Sequence, residues 1–213
     1  MTAAALGDDD ASTARRILLA AERLFAEKGV DAVSLRAVMA EAGTNVASVH
    51  YHFGSKDALV RALILGRSGE VAARRTALLD DLARPGRLTA DGLARAFVEP
   101  VAEMAMSDGA SWVRLVGGIW STGHPSLEIV VEAFMGQAKR FNRLCAELHP
   151  DWTPARQRFR LAQAMKVTFS VLGDVEGVQA MQEISAARLS RAGVVEELTT
   201  LVATILSDPK ETA

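Results

Sequence analysis

Between Gly43 and Lys56 the chain reads Gly43-Thr44-Asn45-Val46-Ala47-Ser48-Val49-His50-Tyr51-His52-Phe53-Gly54-Ser55-Lys56. A helix stop, a short helix and a helix start are compressed into that stretch. Gly43 suits the left-handed backbone that closes a helix. Thr44 or Asn45 supplies a side-chain oxygen to cap the next one. Val49 and Phe53 lie four apart and share a face, with Ala47, Ser48 and Tyr51 opposite. A short helix anchored by two apolar residues, with small, hydroxyl and aromatic groups pointing away, suits insertion into a DNA major groove.

The preceding residues supply the rest of a helix-turn-helix. Ser12 or Thr13 caps a first helix running to about Lys28, with an apolar stripe of Ile17, Leu18, Ala21, Leu24 and Phe25. Gly29 ends it. Ser34 caps a second helix striped by Leu35, Val38, Met39 and Ala42. Residues 45 to 52 form the recognition helix. Ser55 then caps a helix that begins at Lys56 and continues to near Leu82. The histidines His50 and His52 are two apart on a helix and face different ways, so they make no metal pair.

Residues 12 to 67 resemble the DNA-binding domain of the TetR/AcrR family of transcriptional regulators. The resemblance rests on Ile17-Leu18, Ala20-Ala21, Leu24-Phe25, Gly29, Ser34-Leu35, Ala42-Gly43, His52-Phe53, Ser55-Lys56 and Leu59, in the family's order and spacing. It implies DNA contacts from Ser34, Arg36, Thr44, Asn45, Ala47, Ser48, His50, Tyr51, His52 and Lys56. The family usually has a tyrosine, commonly on a DNA phosphate, where this chain has His50; a histidine keeps a hydrogen-bond donor there.

Charge follows the same division. The whole chain carries −2, yet residues 12 to 67 hold eight Lys and Arg against five Asp and Glu. That local surplus of three sits where phosphates would be met. It is modest, so tight binding calls for two copies of the domain. Hydrophobic residues make up 49% but aromatics only 5%, so the apolar excess is alanine and aliphatics, which favour helix. The fold class expected is all-α: a disordered tail over 1 to 11, a three-helix DNA-binding domain over 12 to 67, and a larger helical domain over 68 to 213.

Breaks at Arg84-Pro85-Gly86, Asp108-Gly109, Gly123-His124-Pro125 and Pro150 to Pro154 divide that larger domain into helices. Pro100 lies inside one of them as a kink. Residues 126 to 148 give a long stripe of Val130, Phe134, Ala138, Phe141, Cys145 and Leu148. Residues 173 to 191 are ambiguous between break and helix. The last helix, about 194 to 206, has a broad apolar face of Val194, Val195, Leu198, Leu201, Val202, Ile205 and Leu206. A face that wide on a terminal helix asks for a second surface. The resemblance implies the same, since the family's last two long helices pair with their copies in a homodimer.

The resemblance further implies a small-molecule pocket in this domain. Its candidate lining is Trp112, Arg114, Trp120, His124, Phe134, Phe141, Asn142 and Phe169, with Gln137 as a further polar group. Few polar anchors among many apolar groups predict a mostly apolar effector. The stretch from Trp112 to Pro150 also loosely resembles regulators that respond to fatty-acid-like effectors.

An enzyme is the competing class, and the chain has no glycine-rich phosphate loop, His-Glu-x-x-His run or strand-borne nucleophile turn. A helical adaptor that does not bind DNA is a third class, which a gel shift separates. No cofactor or metal is expected. The lone Cys145 allows no intrachain disulfide, no signal peptide is expected, and no apolar run is long enough for a membrane span. The expectation is a cytoplasmic, homodimeric repressor that binds near-palindromic operator DNA and releases it when an apolar effector binds.

Overall fold

A computed structural model describes residues 3–45, 48, 51–184 and 189–208, with side chains described within 11–182 and 189–208. Among the described residues the secondary structure is helical throughout. In chain order the helices are α1 (Ala3–Lys28), α2 (Leu35–Ala42), α3 (Lys56–Leu82), α4 (Ala90–Ala105), α5 (Ala110–Thr122), α6 (Leu127–Leu148), α7 (Pro154–Gly173), α8 (Val175–Ile184) and α9 (Arg191–Leu206).

Local chemistry sets most of these boundaries. The Ser34, Ser55, Thr89, Thr153 and Ser190 hydroxyls each accept a backbone N–H three residues on, which satisfies one orphan donor of the helix that follows. Gly43 closes α2 at φ +64°, a conformation costly for any residue with a Cβ. One boundary departs from the sequence expectation. The backbone is helical from Ala3, where an irregular tail up to residue 11 was expected. Ala3, Ala4, Ala5 and Leu6 are strong helix formers and offset the acidic run behind them.

The N-terminal core is built from Ile17, Ala21 and Phe25 of α1, Val38 and Met39 of α2, and Leu59, Leu63 and Ile64 of α3, all fully or almost fully buried. Helix α3 has 27 residues and so spans about 40 Å. Its first turns belong to this core and its later ones to the body, where it packs against α4 and α6. The boundary expected at residue 67 therefore falls inside a continuous helix.

Helix α5 crosses α7 at very close range. A Cβ built on Gly117 would come within 2.7 Å of the Phe169 carbonyl oxygen, and one on Gly173 within 3.3 Å of the Val113 carbonyl oxygen. Two glycines are thus what lets these backbones approach. The indole of Trp112 is buried and donates to the Leu63 and Ile64 carbonyls at 3.0 and 3.2 Å, which ties α5 to α3.

Helix α4 contains Pro100, which has no N–H to give the carbonyl four residues back, that of Ala96. A buried arginine fills the gap. Arg75 Nε donates to the Ala96 oxygen at 3.0 Å, and Nη2 to the Phe97 oxygen at 3.2 Å. The kink and the arginine are one device.

Two stripe assignments are corrected. On α6, Leu144 is buried and Ala138 is exposed. On α9, Val194, Leu198, Val202 and Leu206 are buried inside their own subunit, where the helix packs on α4 and α7. The apolar breadth of α9 is used by two neighbours in the same chain, leaving Leu201 exposed at 49%. Cys145 is fully buried, and desolvation pushes its thiol up to about 11, so it acts as a small apolar group rather than a thiolate. Among the described residues no helix is long and apolar enough to cross a membrane.

Candidate DNA interface and junction cavity

The segment between α2 and α3 is organised by its own hydroxyl and amide groups. Asn45 Oδ1 accepts the Ser48 backbone N–H at 3.1 Å, which makes Asn45 the cap. The Thr44 hydroxyl donates to Ser48 Oγ at 2.8 Å, and that hydroxyl in turn reaches Asn45 Oδ1 at 3.3 Å. Thr44, Asn45 and Ser48 thus brace one another. Tyr51 is 76% exposed, and its ring meets His52 edge-on at 5.0 Å between centroids. Val46, Ala47, Val49 and His50 lie outside the described residues, so the contacts expected of Ala47 and His50 are not placed.

Ser34 and Arg36 are exposed at the start of α2. Lys56 occupies the first position of α3, with its ammonium 5.8 Å from the Phe25 ring centroid. It sits beside the free backbone N–H groups of a helix N-terminus, where an anion is favoured. Ser34 and Arg36 at the start of α2, Lys56 at the start of α3 and exposed Tyr51 between them therefore flank the same turn.

Charged groups join this domain to the body. Arg67 of α3 lies 3.5 Å from Glu22 of α1 and 3.0 Å from Asp108 of the α4–α5 turn. Burial raises the Glu22 carboxyl above its ordinary value, against the opposing pull of Arg67. The Arg67 hydrogen bond holds Asp108 below its ordinary value. His124 Nε2 lies 3.2 Å from Asp31 Oδ1, and Arg61 pairs with Glu132 of α6 at 2.9 Å.

A cavity of about 500 Å³ lies at this junction. It is bordered by Phe25 and Asp31 from the DNA-binding side, and by Arg114, His124, Phe169 and Asp174 from α5, α7 and their ends. Of the eight residues expected to line an effector pocket, Arg114, His124 and Phe169 border this cavity. The other five are placed elsewhere. Trp112 is core, and Phe141 stacks on Phe97 at 3.9 Å. Phe134 is buried against Phe169. Trp120 is half-buried on α5, and Asn142 binds its own helix at the Ala138 carbonyl while accepting from Gln157.

Sequence reading missed Arg75. Its side chain is fully buried, yet it sits in a helix whose many charged residues suggest a solvated face. The available signal was register: Val71, Arg75, Leu79 and Leu82 share one buried stripe of α3, and an arginine in an apolar stripe needs a reason.

Comparison with known proteins places the N-terminal domain. The sequence model of the bacterial regulatory proteins of the tetR family matches residues 17–63, the span from α1 through the turn into α3. Over those residues the chain is similar to the TetR family. That domain is the DNA-binding part of a family of transcriptional regulators, which is not a family of enzymes. The chain is 25% identical over 192 residues to the HTH-type transcriptional regulator UidR of Escherichia coli K12, covering 84% of this chain and 90% of that one. A TetR-family transcriptional regulator from Streptomyces coelicolor has the same fold, with TM-score 0.60 and 21% identity, over 92% of this chain and 95% of that chain. So does NalD of Pseudomonas aeruginosa, the secondary repressor of the MexAB-OprM multidrug efflux pump, with TM-score 0.59 and 23% identity, over 92% and 95%.

Proposed function

We propose that this chain is a homodimeric TetR-family repressor that holds near-palindromic operator DNA and releases it when a small, mostly apolar effector binds its C-terminal body. Ser34, Arg36, Thr44, Asn45, Ala47, Ser48, His50, Tyr51, His52 and Lys56 form the DNA-facing set. Exposed Tyr51 reads base or sugar edges, and Lys56 with the α3 N-terminus meets a phosphate. Thr44, Asn45 and Ser48 hold the segment in shape through their mutual hydrogen bonds. NalD, a repressor by description, shares the fold; repression carries over on that likeness, and cytoplasmic location on the target.

The observation that carries the regulatory half is the junction. A single cavity is bordered by the end of α1 and by α5 and α7, and the same junction is crossed by Glu22–Arg67–Asp108 and Asp31–His124. A ligand that alters the spacing of α5 and α7 changes the seat of α1. In a dimer, that changes the separation of the two recognition segments, and successive major grooves tolerate only one separation. The effector acts by favouring the dimer geometry that does not fit.

The test is a fluorescence-anisotropy titration of a labelled operator with and without effector-class compounds. Hydrophobic compounds should weaken DNA binding and raise the melting temperature, whereas sugars and nucleotides should do neither. Release by a hydrophilic metabolite alone would overturn the apolar-effector reading.

A further inference from the structure

The body buries a positive charge that no carboxylate offsets among the described residues. Arg75 has no solvent exposure, and burial alone lowers its guanidinium to about 10, which keeps it protonated at neutral pH. Two of its nitrogens serve the Pro100 kink. The third, Nη1, is buried without a hydrogen-bond partner among the described residues. Around it stand the rings of Phe134 at 5.3 Å and of Phe97 and Phe141 at 5.9 Å, measured from Cζ to each centroid.

Rings of this kind offset part of the cost of a buried cation, but they supply no acceptor. An ion buried without its partner is expensive. The kink accounts for Nε and Nη2, but it uses neither Nη1 nor the positive charge.

A second orphan lies on the same wall. Gln137 Oε1 is also buried without a partner. Gln137 falls three residues after Phe134 and four before Phe141, so it shares their face of α6. Oxygen and nitrogen of such an amide exchange by a simple flip, which would present a donor in place of the orphaned acceptor. Phe134 also meets Phe169, which borders the junction cavity. Ring contacts therefore link the cationic centre, through Phe134, to a residue that borders the junction cavity.

We propose that Arg75 Nη1, with the Gln137 amide, is the head-group anchor of the effector site, and that the effector is an amphiphilic carboxylate whose apolar part lies along Phe134 and Phe169. This rests on the ligand-responsive reading above and assigns its ligand class. The carboxylate supplies the missing counter-charge and accepts from Nη1. Its chain displaces ring contacts that otherwise cover the cation. The anchor differs from the Arg114, His124 and Asn142 set expected from sequence, each of which already has a protein partner.

The experiment is a thermal-shift series on the full chain, run beside operator binding. Probes are saturated straight-chain and aryl carboxylates of graded length, each paired with the alcohol and primary amide of the same skeleton. At saturating probe, at least one carboxylate should raise Tm by about 5 °C or more while its alcohol and amide do not. Equal shifts from acid and alcohol, or no shift from any acid, overturn the anchor. Arg75→Met should abolish the acid preference; if the folded variant keeps it, the anchor is wrong. Should that variant fail to fold, Gln137→Glu decides the matter. It should raise the ligand-free Tm and lose the acid response, and a retained wild-type response overturns the proposal. Wild-type protein that binds operator but ignores every acid loses the anchor and keeps the regulator reading; protein that binds no operator loses the regulator reading itself.

Discussion

Lys56 carries the plainest residue-scale consequence. Its ammonium is held near Phe25 at the start of α3, so its charge is presented from a fixed place. Lys56→Ala should weaken binding to all DNA sequences alike and reduce the slope of log affinity against log salt by about one unit. Salt-series titrations check this, and an unchanged slope would remove Lys56 from the phosphate contacts. Glu22 makes a pH-dependent prediction. Its carboxyl is raised by burial, so the folded state holds this proton more tightly than the unfolded chain does. The stability contributed is full below the ordinary carboxylate value and is lost as pH rises through the raised one. The stability of wild type minus that of Glu22→Gln should therefore fall as pH rises above the ordinary carboxylate value of about 4. Urea midpoints on either side of that value test it, and a flat difference contradicts it.

At the scale of elements, the α5–α7 crossing is the most sensitive place in the body. Gly117→Ala would drive a methyl towards the Phe169 carbonyl, and backbone cannot yield as a side chain can. The expected loss is about 1–3 kcal/mol, seen as a lower denaturation midpoint. A neutral result would mean that the helices separate freely. Elements were legible in the sequence where one residue decides them. Ser34, Gly43, Ser55 and Gly123 each act within a few residues, and each lies at the boundary it marks. Residues 173 to 191 were not legible, because Gly173 serves the close crossing with α5 rather than a loop, and α8 resumes at Val175. The α9 face was legible as apolar but not as to its neighbours. Periodicity says that a face is covered, not whether the cover comes from the same chain. Of the candidate site, the Asn45 cap on the turn could be read from local chemistry. Arg75 could not, since its partner carbonyls lie more than twenty residues away.

For the whole molecule, the correction on α9 changes the assembly test. Leu198 and Val202 are internal, so Leu198→Glu should destabilise the fold. The apolar groups left exposed on α7 and α9 are Phe159 at 65% and Leu201 at 49%. Phe159→Glu or Leu201→Glu should keep the helical content and give a monomer by light scattering, with weaker operator binding. A dimer that survives both substitutions would place the two-fold contact elsewhere. The account as a whole stands on sequence-specific recognition by paired domains, so the most direct measurement is selection of bound duplexes from a randomised DNA pool by the full chain, followed by sequencing. The account predicts enrichment of a near-palindrome with half-sites about one helical turn, or a multiple of it, apart. A pool that stays random, bound only through salt-sensitive contacts indifferent to sequence, would contradict it.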